Sequence, residues 1–253
     1  MLTIRTIEYF DSVSSTNDRL KELLRQSVPP QLPCLVTARQ QTAGRGRGNK
    51  VWWSSEGALL LSLGVELSAL SLERTHLSLL SLAAGLAALE TIRHRLPEEN
   101  HTALHWPNDV YVDGKKIGGI LLESPTPQHL VLGIGINVNN RLTNIPTEFL
   151  DEFEKKPITS LIEILEKPTD IPFLIADFCE RLSGKINQIT TNPAELVQNV
   201  ERCCLQVGKN LTIHQDHGVI QGYCLGIDQN GSLRLKTPNG TETIQTGIAV
   251  WGL

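Results

Sequence analysis

The chain has 253 residues, of which 40% are hydrophobic and 20% are charged, and its formal net charge is −4. This composition predicts a folded chain with one large domain, or one domain and a smaller second one. The longest apolar runs are far shorter than the roughly 20 residues that cross a bilayer. Glu8 and Asp11 interrupt the N-terminal segment, so we expect no signal peptide and no membrane partner. The acidic net charge argues against a general nucleic-acid binder.

The cysteine pattern is typical of a reducing compartment. The sequence contains five cysteines, which form no CxxC pair and leave at least one thiol free: Cys34, Cys179, Cys203, Cys204 and Cys224. We therefore expect a cytoplasmic protein. Cys203 and Cys204 fall on a predicted helix, where packing is a better explanation than redox chemistry.

The first hundred residues predict two helices and two buried strands. Apolar residues at helical spacing predict a short amphipathic helix over 17–27 and a long core helix over 77–96. Continuous apolar runs predict buried strands over 33–38 and 57–65. The two strands are separated by a glycine-rich loop over 44–50.

The middle of the chain predicts four short strands. They span 102–106, 110–112, 115–123 and 129–138. The Asp113-Gly114 pair between the second and third strands predicts a tight hairpin.

The remaining sequence predicts helices followed by a small β-domain. The pattern is helical from 146 to 204, and the last fifty residues alternate short strands with turns at Asp216–Gly218, Asn230-Gly231 and Asn239-Gly240. We expect domains over 1–204 and 205–253, the second being a small antiparallel barrel. Regular βαβ alternation is lacking, so the predicted class is α+β, a mixed sheet with flanking helices.

The glycine-rich loop predicts a binding site for an anion. Its glycines alternate with Arg45 and Arg47. Glycine lets a backbone approach a ligand and point its N–H groups at an anion, and arginine adds forked, charged donors. A solvated basic turn and an RGG-like nucleic-acid tract are the alternatives, although the segment is short for the latter. It is not a Walker A loop, because no Gly-Lys-Ser/Thr follows.

A second motif spans 105–123. Asn108 offers a two-sided amide able to read a base edge. Lys115 and Lys116 are neighbours on a predicted strand, so only one of them can point into a pocket. Gly118 and Gly119 within the strand suggest close approach by a ligand or another backbone. Ordinary turn chemistry and a solvated strand edge remain open as alternatives.

A third motif weakly resembles a dinucleotide-binding loop. Gly133 and Gly135 are followed by Val138 where a third glycine is required. The alternative is that these glycines pack against another strand. Asn137 follows a very apolar run, and such a polar residue needs a partner.

Other polar residues have a structural explanation. Ser15 with Asp18 fits a capping box, which explains the pair as well as a ligand contact does. His214 and His217 are spaced for a turn and lack acidic or cysteine neighbours, so we expect no metal site made from side chains.

Taken in order, these motifs resemble those of the biotin protein ligases. The sequence reads SSTND at 14–18, QTAGRGRGNKVW at 41–52, WPND at 106–109 with KKIGGIL at 115–121, and GIGINVN at 133–139. The resemblance covers nearly the whole chain, and the combination is specific although each motif alone is not. It implies a catalytic domain like that of class II aminoacyl-tRNA synthetases over 1–204 and an SH3-like barrel over 205–253.

The resemblance implies a two-step ligase reaction. Biotin and ATP, with Mg²⁺, give biotinyl-5′-AMP and pyrophosphate. A lysine of the biotin carboxyl carrier domain of acetyl-CoA carboxylase then attacks the adenylate. Adenylation brings a carboxylate up to a phosphate, so the site must neutralise like charges.

The resemblance also implies the residues of the site. For biotin these are Ser15, Thr16, Asn17 and Gln41 at the head group, Arg45, Gly46 and Arg47 in the closing loop, Lys116 at the carboxylate–phosphate junction, and Gly119 and Leu121 at the floor. For ATP they are Trp52, Asn108, Asn137 and Arg47. The implied catalytic residues are Arg45, Arg47 and Lys116.

Three departures or absences accompany the resemblance. His105 stands where the family commonly has lysine, and the loop reads GRGRGN with one arginine fewer than in many bacterial members. Both departures concern the strength of ATP binding. About a dozen residues precede SSTND, too few for the helix-turn-helix of members that double as repressors, so we expect no DNA-binding role.

Two other functions and one assembly remain open. A lipoate–protein ligase or octanoyltransferase also modifies a carrier lysine, but GRGRG and KKIGG favour biotin. A non-catalytic biotin- or carrier-binding protein is the alternative from another class, and Arg45, Arg47 and Lys116 argue against it. Members of the family dimerise through the catalytic sheet, so a homodimer is possible.

Overall fold

The structure is a computed structural model that describes residues 2–48, 50–143, 145, 157–215 and 218–250. Its strands and helices, in chain order, are β1 (Thr6–Val13), α1 (Thr16–Leu24), β2 (Cys34–Gln41), β3 (Leu59–Glu66), α2 (Leu77–Arg93), β4 (Thr102–His105), β5 (Asp109–Val112), β6 (Lys115–Glu123), β7 (His129–Ile136), α3 (Leu161–Leu165), α4 (Ile171–Thr191), α5 (Pro193–Cys203), β8 (Asn210–Gln215), β9 (Gly218–Ile227), β10 (Leu233–Thr237), β11 (Gly240–Ile244) and β12 (Ile248–Val250).

The larger sheet is mixed, which confirms the predicted fold class. Its seven strands lie in the order β1–β2–β3–β7–β6–β5–β4. β1 pairs with β2 in parallel, and every other neighbouring pair in this sheet is antiparallel. Helices flank the sheet on both faces.

The two faces of this sheet bury different partners. Successive residues of a strand point to opposite faces. Leu61 and Leu63 of β3 therefore join the main hydrophobic core with α2, α4 and α5. Gly64 points to the other face, where Leu20 of α1 fills the space that a side chain would need. Because α1 covers only part of that face, it leaves room beside it for a cavity.

The second sheet is antiparallel and shares the core of the first. Its five strands lie in the order β11–β10–β9–β8–β12, as expected for a small β-domain. Leu211 and Leu235 belong to the same hydrophobic cluster as α2. The buried Trp106 joins the sheets, because its Nε1–H donates to Gly231 O at 3.0 Å. The division at residue 204 falls just after α5, and two separate domains remain a prediction.

Most predicted elements are present, and two strands were missed. The Asp113-Gly114 hairpin is confirmed, with φ of 48° and 76° at the two positions. β1 was not predicted because it is an edge strand whose Ile7 and Tyr9 are exposed between polar residues. β12 was not predicted because its three residues are too few to show an alternating pattern. The helical prediction over 146–156 and the turn residues 216 and 217 lie outside the described residues.

One helical segment is apolar enough to be compared with a membrane span. Residues 74–93 satisfy the length and composition of such a span, but 67% of the apolar 18-residue stretch within them is buried inside the protein. Ala83, Ala87 and Leu86 of α2 lie in the hydrophobic core. The segment is therefore a core helix by its packing.

The cysteines pack as thiols. All five are free. Burial is the main cause that raises the pKa of Cys203 to about 12 and that of Cys204 to about 11. Both thiols therefore stay protonated near neutral pH, which agrees with the packing interpretation of this pair.

Candidate active site

One cavity of about 390 Å³ brings the predicted site residues together. All of them line it: Ser15, Thr16, Asn17, Gln41, Arg45, Gly46, Arg47, Trp52, Asn108, Lys116, Gly119, Leu121 and Asn137. The volume lies within the usual range of small-molecule sites. The roles assigned to these residues remain predictions.

One end of the cavity is polar but uncharged. Thr16 donates from its backbone nitrogen and its hydroxyl to Gln41 Oε1, at 2.7 and 3.0 Å. A backbone N–H can only donate, so the Gln41 atom facing it is the oxygen. The Gln41 amide nitrogen is consequently left to donate elsewhere. Ser15 is the N-cap residue of α1, but within the described structure its side chain makes no capping hydrogen bond, so the capping-box interpretation is wrong.

Ser62 of β3 holds this end together and was missed by sequence analysis. Its fully buried hydroxyl lies 2.6 Å from Asn17 Oδ1 and 2.8 Å from Thr16 Oγ1. Asn17 also donates from Nδ2 to Glu123 Oε2 at 2.7 Å and to Leu121 O at 3.3 Å. The Asn17 amide is thus used on both sides by the protein, so it shapes this end rather than offering free hydrogen-bonding atoms.

Two glycines of β7 make room for cavity side chains rather than for a neighbouring strand. A Cβ at Gly133 would lie 2.3 Å from Asn17 Oδ1. A Cβ at Gly135 would lie 2.6 Å from Trp52 Cε2. Close approach of side chains therefore explains this pair of glycines, and the strand-packing alternative is wrong for both.

The glycine-rich loop folds back on itself beside the cavity. Gly46 N donates to Lys50 O at 2.8 Å, and Trp52 N donates to Gly44 O at 2.9 Å. Arg45 pairs with Val51 in an isolated antiparallel bridge. These bonds hold Arg45 and Arg47, which are two residues apart, on one arm of the folded-back loop.

The two arginines of the loop have different surroundings. Arg45 forms ion pairs with Asp18 at 2.7 Å and Glu123 at 2.9 Å. Arg47 donates to two uncharged oxygens of the second sheet, Gly247 O at 3.4 Å and Thr246 Oγ1. The charge of Arg45 is therefore already balanced, whereas Arg47 has no carboxylate ion-pair partner among the described residues.

The pKa values of the two arginines are shifted in opposite directions. For Arg47, desolvation lowers the pKa below its usual value despite the nearby Asp109. For Arg45, burial acts in the same direction, but its hydrogen bonds to Glu123 and Asp18 and the charges of these carboxylates outweigh burial and raise the pKa. Arginine stays cationic at neutral pH in either case, so both guanidinium groups are charged.

Lys116 is the lysine of the pair that reaches the cavity. Lys115 is exposed, whereas Lys116 Nζ lies 2.8 Å from Asp109 Oδ2 and 5.6 Å from the Trp52 ring centroid. The strand is pinned at this point, because Lys116 N donates to Pro157 O at 2.8 Å. These contacts aim a cation across the flat face of Trp52.

The remaining end of the cavity carries amides and rings. Asn108 Nδ2 donates to Ile120 O at 2.8 Å. The buried Asn137 has hydrogen-bond partners, as expected: its Nδ2 donates to Thr159 O at 3.1 Å, and its Oδ1 accepts from Asn140 Nδ2 at 3.0 Å. The Trp52 ring carries one polar group at its edge, a buried Nε1–H that has no hydrogen-bond partner among the described residues. His105 also lines the cavity and stacks on Tyr111 at 5.6 Å between centroids.

The second sheet supplies a wall that sequence analysis did not foresee. Its lining residues come from the end of β8 and from the β11–β12 segment: His214, Gln215, Thr246, Gly247, Ile248 and Ala249. His214 pairs with Ile248 across the two strands. Only folding brings these residues next to the loop, and no local pattern marks them.

The side chains do not by themselves form a metal centre. Among the described residues there is no group of three His, Cys, Asp or Glu side chains that could hold a metal ion. Of the described residues that line the cavity, Asp109 is the single carboxylate.

Comparisons with known proteins agree with one another. The model of the family described as Biotin/lipoate A/B protein ligase family matches residues 9–137. Over 244 residues the chain is 33% identical to the Bifunctional ligase/repressor BirA of Bacillus subtilis, covering 93% of this chain and 71% of that protein. It is 31% identical to the Biotin--[acetyl-CoA-carboxylase] ligase of Mycobacterium tuberculosis, over 85% of this chain and 78% of that one.

A solved structure is similar along almost its whole length. The biotin protein ligase from Aquifex aeolicus in complex with biotin and ATP matches with a TM-score of 0.78 and 30% sequence identity. The match covers 98% of this chain and 97% of that one. It therefore includes both sheets and the cavity between them.

Proposed function

The chain belongs to the biotin/lipoate A/B protein ligase family, and on that premise we propose that it is a biotin protein ligase. In the first step a carboxylate oxygen of biotin attacks the α-phosphorus of MgATP. The bond to the bridging oxygen breaks, and pyrophosphate leaves as biotinyl-5′-AMP forms. In the second step the neutral amine of a carrier-domain lysine attacks the carbonyl carbon, AMP leaves, and the nitrogen gives up a proton.

The observation that carries this proposal is the polarity of the cavity. Its uncharged end around Thr16 and Gln41 suits the neutral ureido head group of biotin, which needs hydrogen bonds and no counter-charge. Its other end presents Lys116 and Arg47 where the biotin carboxylate and the α-phosphate would meet. A ligand that is neutral at one end and anionic at the other fits this arrangement.

The cations lower the cost of bringing two anions together. At 4 Å a pair of unit charges is worth about 4 kcal/mol at an effective dielectric constant near 20. Arg47 is desolvated and lacks a carboxylate ion pair among the described residues, so its charge remains available to the ligand. Asp109 orients Lys116. Their stabilisation increases as charge moves onto the bridging oxygen and pyrophosphate.

The residues that line the cavity suggest where the nucleotide and the biotin chain would lie. Trp52 offers a flat face for the nucleotide, with Asn108 and Asn137 in the same wall. Gly119 and Leu121 form the floor beneath the biotin chain.

Magnesium enters as part of the co-substrate. Mg²⁺ prefers one or two carboxylates together with phosphate oxygens and water. One lining carboxylate, Asp109, and the absence of a three-ligand cluster in the described structure suit an ion carried by the phosphates of ATP. The ion would add positive charge at the phosphates, while the protein supplies orientation.

The glycine-rich loop serves as a lid. The adenylate is a mixed anhydride that water destroys, so it must be enclosed until the carrier arrives. Arg45 and Arg47 attach the loop to both sides of the cavity, the first to α1 and β6 and the second to the β11–β12 segment.

ATP–pyrophosphate exchange tests the first half-reaction. Reactions would contain biotin, octanoate, lipoate or no acid, and we expect exchange with biotin alone. Exchange with octanoate or lipoate would instead assign the protein to the lipoyl branch of the family. Biotin binding without exchange would mean a non-catalytic protein, with His105 as the first residue to replace.

The second half-reaction needs the carrier. We expect labelled biotin to be transferred to a purified biotin carboxyl carrier domain of acetyl-CoA carboxylase. A carrier in which arginine replaces the acceptor lysine is the matched control. Equal labelling of both carriers would contradict transfer to a specific lysine.

A homodimer and a cytoplasmic location complete the proposal. β1 is the edge of the larger sheet and exposes Ile7 and Tyr9, apolar groups that a second copy could cover. Sedimentation equilibrium of the wild type and of Tyr9→Lys measures the oligomeric state, and the variant should be more monomeric.

Five free thiols suit a reducing cytoplasm, and cell fractionation would test this location.

A further inference from the structure

The strongest attachment of the glycine-rich loop to the rest of the protein is a cluster of four charges. Arg45 is the loop residue in this cluster. Its two anionic partners are Asp18 of α1 and Glu123 at the end of β6. Lys21 of α1 pairs with both acids, at 2.7 and 3.0 Å. Two positive and two negative charges therefore balance one another beside the cavity.

This cluster gives Arg45 a different task from Arg47. Both Asp18 oxygens accept from the Arg45 guanidinium, at 2.7 and 3.1 Å, which fixes its plane. Two neighbouring carboxylates largely neutralise the field of the Arg45 guanidinium, so it attracts a phosphate only weakly. Its contacts instead determine where the loop lies.

Glu123 connects the loop to the uncharged end of the cavity. The same carboxylate that holds Arg45 accepts from Asn17 Nδ2 at 2.7 Å. Asn17 in turn is fixed by Ser62. The loop and the end of the cavity that suits the biotin head group therefore share one anchoring residue on a rigid strand.

We propose that Glu123 and Asp18 are positioning residues that hold the glycine-rich loop closed through Arg45 and so determine how long the adenylate stays enclosed. This inference rests on the proposed biotin ligase function. Neither acid lines the cavity among the described residues. They act on the reaction through the loop and touch no reacting atom.

The experiment measures the loss of adenylate from the enzyme. Each protein is loaded with labelled biotin and MgATP, freed of excess ligand, and followed for release of biotinyl-5′-AMP. A free primary amine in the buffer traps what escapes. The set comprises wild type, Glu123→Gln, Asp18→Asn, Arg45→Ala, the double variant of Arg45 and Glu123, and Lys21→Met.

We expect Glu123→Gln to release adenylate about five- to tenfold faster, since a charge-assisted contact is lost but the partly exposed pair is screened by solvent. Arg45→Ala should release it at least as fast, and adding Glu123→Gln to Arg45→Ala should change little more. Added salt should speed release from wild type more than from Glu123→Gln.

Lys21→Met is the matched control. It removes a cation from the same cluster but leaves Arg45 with both carboxylates. It should retain adenylate as wild type does, although it weakens the contacts between α1 and β6. If Glu123→Gln does not fold, Asp18→Asn carries the test. Thermal unfolding midpoints identify variants that lose structure.

The outcomes separate the two proposals. Wild type without biotin-dependent exchange contradicts the ligase function itself. Biotin-dependent exchange with wild-type release from Glu123→Gln and Asp18→Asn overturns the positioning role alone. Equal acceleration by Lys21→Met and Glu123→Gln would also overturn it, because the effect would then reflect the packing of α1.

Discussion

The two ends of the cavity are built by different physical means. At the uncharged end, Thr16, Asn17, Gln41 and Ser62 hydrogen-bond to one another, and three of them are almost fully buried. At the charged end, Lys116 lies between a carboxylate and an aromatic face and remains partly exposed. The first end is fixed mainly by hydrogen bonds between uncharged side chains, whereas the second presents a cation that can interact with charge on a ligand.

This difference separates recognition from catalysis. A preformed neutral network binds the substrate and the transition state equally, so it affects KM more than kcat. Preorganised charges stabilise the transition state more than the bound substrate, because charge develops in the transition state. They therefore affect the rate of the chemical step. Substitutions at the two ends should therefore change different kinetic constants.

The largest expected effect is at the charged end. Lys116→Ala should lower the rate of adenylation by about 10²–10³, since it removes one preorganised charge. Single-turnover formation of biotinyl-5′-AMP measures this rate. Lys115→Ala, which removes the exposed neighbouring lysine, should leave it near that of wild type. A loss below threefold for Lys116→Ala would contradict the role assigned to this side chain.

A matched pair of glycine substitutions tests the two ends separately. A Cβ at Gly133 would lie 2.3 Å from Asn17 Oδ1, and one at Gly135 would lie 2.6 Å from Trp52 Cε2. Overpacking of this kind costs about 1–3 kcal/mol of folding stability, and it displaces the side chain that the new Cβ would meet. Gly133→Ala should raise the KM for biotin, and Gly135→Ala that for ATP. If both variants raised the same KM, the division of the cavity would be wrong.

The sequence predicted this site well where its residues are close in the chain. Each motif combines an unusual local composition with a turn or a strand, and the folded chain brings all of them to one cavity. Ser62 and Glu123 gave no such signal, because a serine within LLLSLGV or a glutamate ending ILLE is ordinary on a strand. Their importance arises from contacts with Asn17, far away in sequence.

Tertiary packing also explains what was missed in the fold. β1 lacks an apolar run because it lies at the edge of the sheet, so alternate residues such as Tyr9 face outwards. The wall formed by Thr246 and Gly247 depends on the docking of the second sheet through Trp106. A pattern in a short stretch of sequence contains no information about contacts between residues that are far apart in the chain.

A smaller effect is expected from the buried hydroxyl of the uncharged end. Ser62→Ala leaves Asn17 Oδ1 without a hydrogen bond that is 2.6 Å long. An unsatisfied buried group costs about 1–3 kcal/mol, so we expect roughly a tenfold increase in the KM for biotin with kcat nearly unchanged. Steady-state kinetics at saturating ATP measure both constants. Ser62→Cys, which retains a weaker donor, should fall between the two proteins, whereas a fall in kcat alone would contradict the comparison.

The smallest effect concerns Glu123, the carboxylate that joins the glycine-rich loop to the uncharged end. Burial alone would raise the pKa of Glu123, but hydrogen bonds from Asn17, Lys21 and Arg45 outweigh it and hold the pKa below its usual value. A depressed folded-state pKa gives stability that is complete above the unfolded pKa and is lost as the pH falls through the folded one.

Glu123→Gln should therefore be less stable than wild type by a constant amount, about 1–2 kcal/mol, from pH 8 to pH 6. The difference should shrink only below about pH 4, where a protonated glutamate resembles glutamine. Urea unfolding of both proteins across this range measures it, and titrating groups common to the two cancel in the comparison. If the difference instead grew as the pH fell from 7 to 5, the folded-state pKa of Glu123 would be raised, burial would dominate at this residue, and the charged cluster could not anchor the loop at neutral pH.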